Sequence, residues 1–280
     1  MSFDHPAFLP YRDLIDALGL ARGLPALEAV NDLARQAHIV QSRGLPLRFV
    51  APDGALAARD YEIRILETGA VPTRADTWHD ALNALVWLRF PRFKAALNAA
   101  HGEAIAAERG PLRGRRRDAL TVLDESGVWV ASRDPALPRL LVDHAWQTLF
   151  FAQRGHVEAD MDFIVVGHAL LEKAMVPYPA MTGKCLLVES DTLDPDVLET
   201  LAVSALATVD TPRQLPPLPV QGIPGWDAAN TSAAYYENRE VFRPAPHESP
   251  HTTLNTGSSG AIGCHAALSG RTARYSIKAS

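Results

Sequence analysis

Cysteine is nearly absent from this 280-residue sequence. Only Cys185 and Cys264 occur, too few for a disulfide framework or a thiolate metal cluster, so a reducing compartment is expected. Long apolar runs are missing too. The longest, near Phe163 to Leu171, is broken by Gly167 and His168 and falls short of a bilayer crossing. The opening MSFDHPAFLPYRDL places an acid where a secretory leader would carry basic residues. A soluble cytoplasmic protein with no membrane association is the resulting expectation. An excess of positive charge is also lacking: 27 Lys and Arg face 32 Asp and Glu, which argues against nucleic acid as the main partner. Within residues 3–245 there is no HExxH, no GxSxG elbow and no phosphate-cradling glycine loop, so no standard zinc-protease, serine-hydrolase or nucleotide signature applies.

What the sequence does contain is centred on Thr73 to His101, TRADTWHDALNALVWLRFPRFKAALNAAH. At 3.6 residues per turn, Trp78, Ala81, Leu82, Leu85 and Val86 share one side of a helix; Asp76, His79, Asp80, Asn83 and Trp87 share the other. Two carboxylates, an imidazole and a carboxamide around an indole are the composition of a pocket wall. Thr73 and Asp76 have the form of a capping box that opens this helix, and Phe90-Pro91 ends it before a second helix from Arg92 to Ala107.

Elsewhere, two N-terminal helices (Tyr11–Leu18, Leu24–Val40) and a short strand at Leu47–Val50 are expected as scaffold. The alternation of Leu120 and Val122 with Thr121 and Leu123, followed by Ser126-Gly127, predicts a hairpin with Asp118 on its buried face. A helix over Pro135–Ala152 carries His144. The apolar stretch Met161–Met175 predicts a buried helix in which His168 and Glu172, four residues apart, share a side. Gly167 there implies close approach of another group. Gly183–Glu189 is expected as a buried strand and Asp194–Ala207 as a helix. From Thr211 the prolines predict an extended segment that wraps the body through Trp226, Tyr235, Tyr236 and Phe242. The fold expected is α+β: one predominantly helical domain over residues 3–245, with a small antiparallel sheet and a proline-rich wrap. Residues 246–280, rich in Ser, Thr and Gly, are expected to form a disordered tail.

The central TRADTWHDALNALVWLRFPRFKAALN, with RRRDALTVLDESG, GHALLEK, LPVQGIPGW and YYENREVFRP, resembles the bacterial family catalogued as domain of unknown function 3025. The resemblance implies that these segments belong to one domain, and it brings no reaction or cofactor. The tail departs from the family pattern, so its histidines and Cys264 enter no site.

Three chemistries fit the residues. Asp76, His79, His144, His168 and Glu172, joined by Asp118, supply nitrogen and oxygen ligands suited to a divalent zinc, iron or manganese ion. Without a metal, His79 would act as a general base oriented by Asp80 or Asp118, with Arg74 and Asn83 binding an anionic substrate group and Trp87 flooring the pocket. Both describe a small-molecule enzyme, most naturally a hydrolase. The alternative of another class is a binding or adaptor protein that grips RNA or an acidic partner with Arg113, Arg115, Arg116 and Arg117. A purely structural account remains beside them, with Asp76 as a cap, His144 and His168 as bonded core histidines, and Glu172 paired with Lys173 or Arg92. Cys185 lies in an apolar strand, where a thiol is inert.

Overall fold

The structure, a computed structural model, describes residues 2–110 and 113–245. The first half contains helices α1 (Arg12–Leu18) and α2 (Leu27–Gln36), strand β1 (Arg48–Val50), α3 (Ala58–Thr68), β2 (Ala70–Pro72), α4 (Trp78–Arg89) and α5 (Pro91–Ala107). Then follow α6 (Arg115–Ser126), β3 (Gly127–Ser132), α7 (Ala136–Val142), α8 (Arg154–Asp160), β4 (Met161–Val165), α9 (His168–Ala174), β5 (Thr182–Glu189), α10 (Pro195–Leu206) and β6 (Pro217–Pro219). The class is α+β, as expected. The larger sheet has the order β4-β3-β5-β6 and is mixed: β3 pairs antiparallel to β4 but parallel to β5. A parallel neighbour needs a long crossover, here supplied by the chain from α7 to α9. β1 and β2 form a separate parallel pair. No helix among the described residues is long and apolar enough to cross a membrane.

Two expected elements take another form, and both changes bear on the site. The expected hairpin after Arg117 is helix α6 running directly into β3. Its buried positions, Arg117, Leu120 and Leu123, recur at a helical interval, and Asp118 in the first turn complements the helix dipole. Asp118 is therefore not on a buried strand face. It is half-exposed and bonded to Arg113, Nε to Oδ1 2.8 Å. The expected helix over Met161–Met175 splits into β4 and α9, because the aromatic and β-branched run Phe163-Ile-Val-Val favours a strand and Gly167 then caps the helix.

Gly167 makes the close approach anticipated for it. A Cβ at that position would lie 2.4 Å from the backbone nitrogen of Gly127. The amides of Val166 and Gly167 both donate to the Gly127 carbonyl at 2.9 Å. This backbone clasp brings the start of α9 against the end of α6.

Helix α4 lies between two apolar cores. Leu82, Leu85 and Val86 join the main core under the larger sheet, which contains Phe90, Phe93 and Trp129; Ala84, Trp87 and Leu88 join a smaller one with Val30, Phe49, Ile65 and Val71. The proline-rich segment closes over the main core: Leu215, Leu218, Val220, Ile223, Tyr236 and Phe242 are buried, and Trp226 packs beside His5. The expected disordered tail lies outside the described residues.

Candidate functional site

His79 sits in the first turn of α4, and the loop before it is held by charge. Thr77 caps the helix, its hydroxyl accepting from the Asp80 amide at 3.3 Å. The Asp80 carboxylate takes three bonds from Arg74: the backbone N–H (2.7 Å), Nε (3.0 Å) and Nη2 (2.8 Å). Burial raises the Asp80 carboxyl, but these bonds outweigh it and leave it below its ordinary range. Thr77 and Asp80 repeat the Thr-x-x-Asp pattern four residues after Thr73 and Asp76, and the second copy is the one used. Thr73 is buried and donates to the Val71 carbonyl, while Asp76 is exposed.

From this turn His79 faces α9. Its Nε2 lies 2.9 Å from Nε2 of His168, with the rings nearly perpendicular, and its Nδ1 lies 3.2 Å from Glu172. The gap between α6 and α9, fixed by the Gly127–Gly167 clasp, adds two carboxylates. Glu125 lies 3.7 Å from His168 Nε2, and Asp124 lies 3.8 Å from its Nδ1. One ligand atom each from His79, Glu125 and His168 can be chosen so that all lie within 4.8 Å of one another. Two nitrogens bound at about 2.05 Å to one ion are roughly 2.9 to 3.4 Å apart for bond angles between a right angle and a tetrahedral one. The observed imidazole separation falls in that interval. The outer nitrogens face Glu172 and Asp124, carboxylates of the kind that orient metal-binding histidines.

The charge states suit the same arrangement. Burial depresses His168 to about 4, with Lys94 and His79 working in the same direction against Asp124, so its ring is neutral and one of its nitrogens carries a lone pair. Burial would raise Asp124, yet the attraction of Lys94 and His168 brings it down to about 2. Lys94 is itself buried, bonded to Asp124 and to Asn83 Oδ1 (2.8 Å), with its ammonium over the Trp87 ring. Burial and the Asp124 charge raise Glu125.

His79, Asp80, Asp124, Glu125 and His168 border a cleft of about 460 Å³, whose wall also includes Tyr61, Glu62, Asn83, His101 and Thr121. Of the ten residues proposed from sequence, His79, His168 and Glu172 meet at one place, and Asp80, Arg74 and Asn83 border the cleft. The other four do not reach it. Trp87 is 1% exposed, because the smaller core covers α4 at that position. His144 takes a left-handed backbone (φ 54°) that ends the helix expected to continue through it, and its Nδ1 meets the Arg243 carbonyl instead. Asp76 is exposed at the loop, and Asp118 faces Arg113. Two roles change as well. The group beside His79 Nδ1 is Glu172 rather than Asp80 or Asp118, and Arg74 is committed to Asp80 instead of standing free for an anion.

Asp124, Glu125, Glu62, Lys94 and His101 are absent from the sequence-derived set. Once α6 is drawn as a helix, Arg117, Thr121, Asp124 and Glu125 fall at positions i, i+4, i+7 and i+8, one polar face along the cleft. Lys94, Asn98 and His101 form an equivalent seam on α5, and all three are buried. The arginine run is not an open basic loop. Arg113, Arg116 and Arg117 pair with Asp118, Glu103 and Glu108, leaving Arg115 exposed at the start of α6.

The architecture is thus a small α+β domain with a histidine and carboxylate cleft between α3, α4, α6 and α9. Residues 47–246, more than half of the chain, match the family described as Protein of unknown function (DUF3025), and the chain belongs to that family. No curated protein and no solved structure matches it.

Proposed function

We propose that this protein is a metal-dependent hydrolase acting on a small molecule held in the cleft, with His79, His168 and Glu125 as the ligands of one divalent ion. The observation that carries this reading is the 2.9 Å approach of two imidazole Nε2 atoms beside the Glu125 carboxylate, with a carboxylate behind each ring. Two imidazoles and one carboxylate leave coordination positions open to the cleft, where an ion acidifies water and polarises the bond to be cleaved. Zinc, iron(II) and manganese(II) all accept such ligands. The alternative of a binding module has less support, since three of its four arginines are paired within the chain.

The test is elemental analysis and native mass spectrometry of the purified protein, followed by calorimetric titration of the apo form with Zn²⁺, Mn²⁺ and Fe²⁺. One ion per chain is expected in the wild type, with binding abolished in His168→Ala and at least about tenfold weaker in Glu125→Gln. Hydrolysis of ester, amide and phosphoester panels should then require the loaded protein. A wild type that takes up none of the three ions would refute the proposal.

A further inference from the structure

Beside the cleft lies a cell of about 10 Å³ bordered by residues that include Tyr61, Glu62, Lys94, Asn98, His101 and Asp124. That is room for one water-sized group. Four of these residues, Tyr61, Glu62, His101 and Asp124, border both the cell and the main cleft. Its polar atoms are unevenly served. Asn98 and His101 are each 3% exposed, yet Asn98 Oδ1 and His101 Nδ1 have no hydrogen-bond partner. Glu62 receives one side-chain bond, from Asn98 Nδ2 at 2.7 Å, and among the described residues no Lys, Arg or His lies within ion-pair distance of it. The nearby ammonium of Lys94 is already committed to Asn83 and Asp124.

We infer that this inner cell is a subsite for a primary ammonium group, R–NH3⁺, recognised by Glu62, Asn98 Oδ1 and His101 Nδ1. The argument is one of complementarity. Asn98 Oδ1 and His101 Nδ1 have no partner and the Glu62 carboxylate has only one, and an ammonium carries three N–H donors whereas water carries two. The carboxylate lacks a cation, and the ammonium brings one. Burial holds His101 down at about 4, so its ring is neutral and one nitrogen is an acceptor. Burial also pushes Glu62 up to about 7, as expected of a carboxyl whose counter-charge arrives with a ligand. Taken with the hydrolase reading, on which this step rests, the substrate class is an amine-bearing molecule whose cleavable bond reaches the His79–His168 end. The ammonium subsite itself does not depend on a metal.

Methylammonium chloride is the probe, with sodium chloride and tetramethylammonium chloride as controls for charge without N–H donors. Thermal stability of the wild type should rise saturably with methylammonium alone. In Glu62→Gln the affinity should fall by about tenfold or more, since a charge-assisted bond is lost. Equal effects of the three salts, or an unchanged response in Glu62→Gln, would overturn the inference. So would a crystal soaked in methylammonium that shows only a water in the cell. Titrating the same proteins with Zn²⁺ separates the two readings: an intact amine response without Zn²⁺ binding removes the metal and keeps the subsite, and the reverse result removes the subsite alone.

Discussion

Asp124 and Glu62 border the same cleft, yet their environments drive them in opposite directions. Burial raises both. For Asp124 the Lys94 ammonium and the His168 ring reverse that effect and take the carboxyl to about 2. Glu62, raised further by the Asp124 charge and bonded to an amide rather than to a cation, rises to about 7. The comparison shows that burial alone does not set the charge of a cleft carboxylate; the charged groups around it do, and Lys94 bonds directly to Asp124 but not to Glu62.

Removing the lysine should break this contrast with the largest effect. Lys94→Met keeps most of the unbranched side chain but leaves Asp124 buried without its partner, a change that costs about 3 to 5 kcal/mol. Urea denaturation is the measurement, and Lys94→Met combined with Asp124→Asn should recover much of the loss. The second change acts on Glu62. Its folded pKa, about 7, lies above the ordinary carboxyl value of 4.5. Between these values the folded protein keeps a proton that the unfolded chain has released, so stability falls as pH rises through the window. Glu62→Gln, which can still accept from Asn98, should therefore stabilise the protein at pH 8 by up to about 3 kcal/mol and have little effect at pH 4. Denaturation curves at the two pH values decide it; an equal effect at both would mean that Glu62 is an ordinary carboxylate.

The same two residues mark how far the sequence could be read. The α+β class, the wrap from Thr211, the inert Cys185 and the role of Gly167 follow from periodicity and from proline and glycine chemistry, which are local. The pairing of His168 with Glu172 on one helix was also legible, because helical spacing survives a misjudged helix start. Asp124 and Glu125 were hidden because Leu120 and Val122 fit a strand period as well as Leu120 and Leu123 fit a helical one, and tertiary packing chose the helix. Trp87 was misread for another reason. The side of α4 read as polar faces the cleft only over its first turns, at His79, Asp80 and Asn83, and by Trp87 the same side packs into the smaller core. Glu62 and His101 required knowledge of which helices face each other, which no local pattern contains.

Smaller effects probe the His79–His168 end of the cleft. Glu172→Gln keeps a hydrogen bond to His79 Nδ1 but removes the charge behind the ring. Loss of such a partner weakens metal binding by about 10- to 100-fold, measured by Zn²⁺ titration, with little change in folding.

The smallest expected effect is on the fold when His79 itself is removed. His79 is half-buried, on the first turn of α4, and its ring meets His168 and Glu172 rather than the apolar cores. The helix start does not depend on it, since Thr77 caps the turn and the Asp80–Arg74 bonds fix the loop. Truncation leaves Glu172 exposed to solvent and removes one neighbour from His168, whose ring already lacks a hydrogen bond at Nδ1. His79→Ala should therefore change unfolding free energy by less than about 1 kcal/mol, whereas a histidine needed by the core would cost several times more. The same variant should bind no divalent ion. Denaturant melts beside metal titration read both quantities on one sample. A His79→Ala protein that is strongly destabilised, or that still binds the metal with wild-type affinity, would show that the ring serves the fold and that the ion, if any, is held elsewhere.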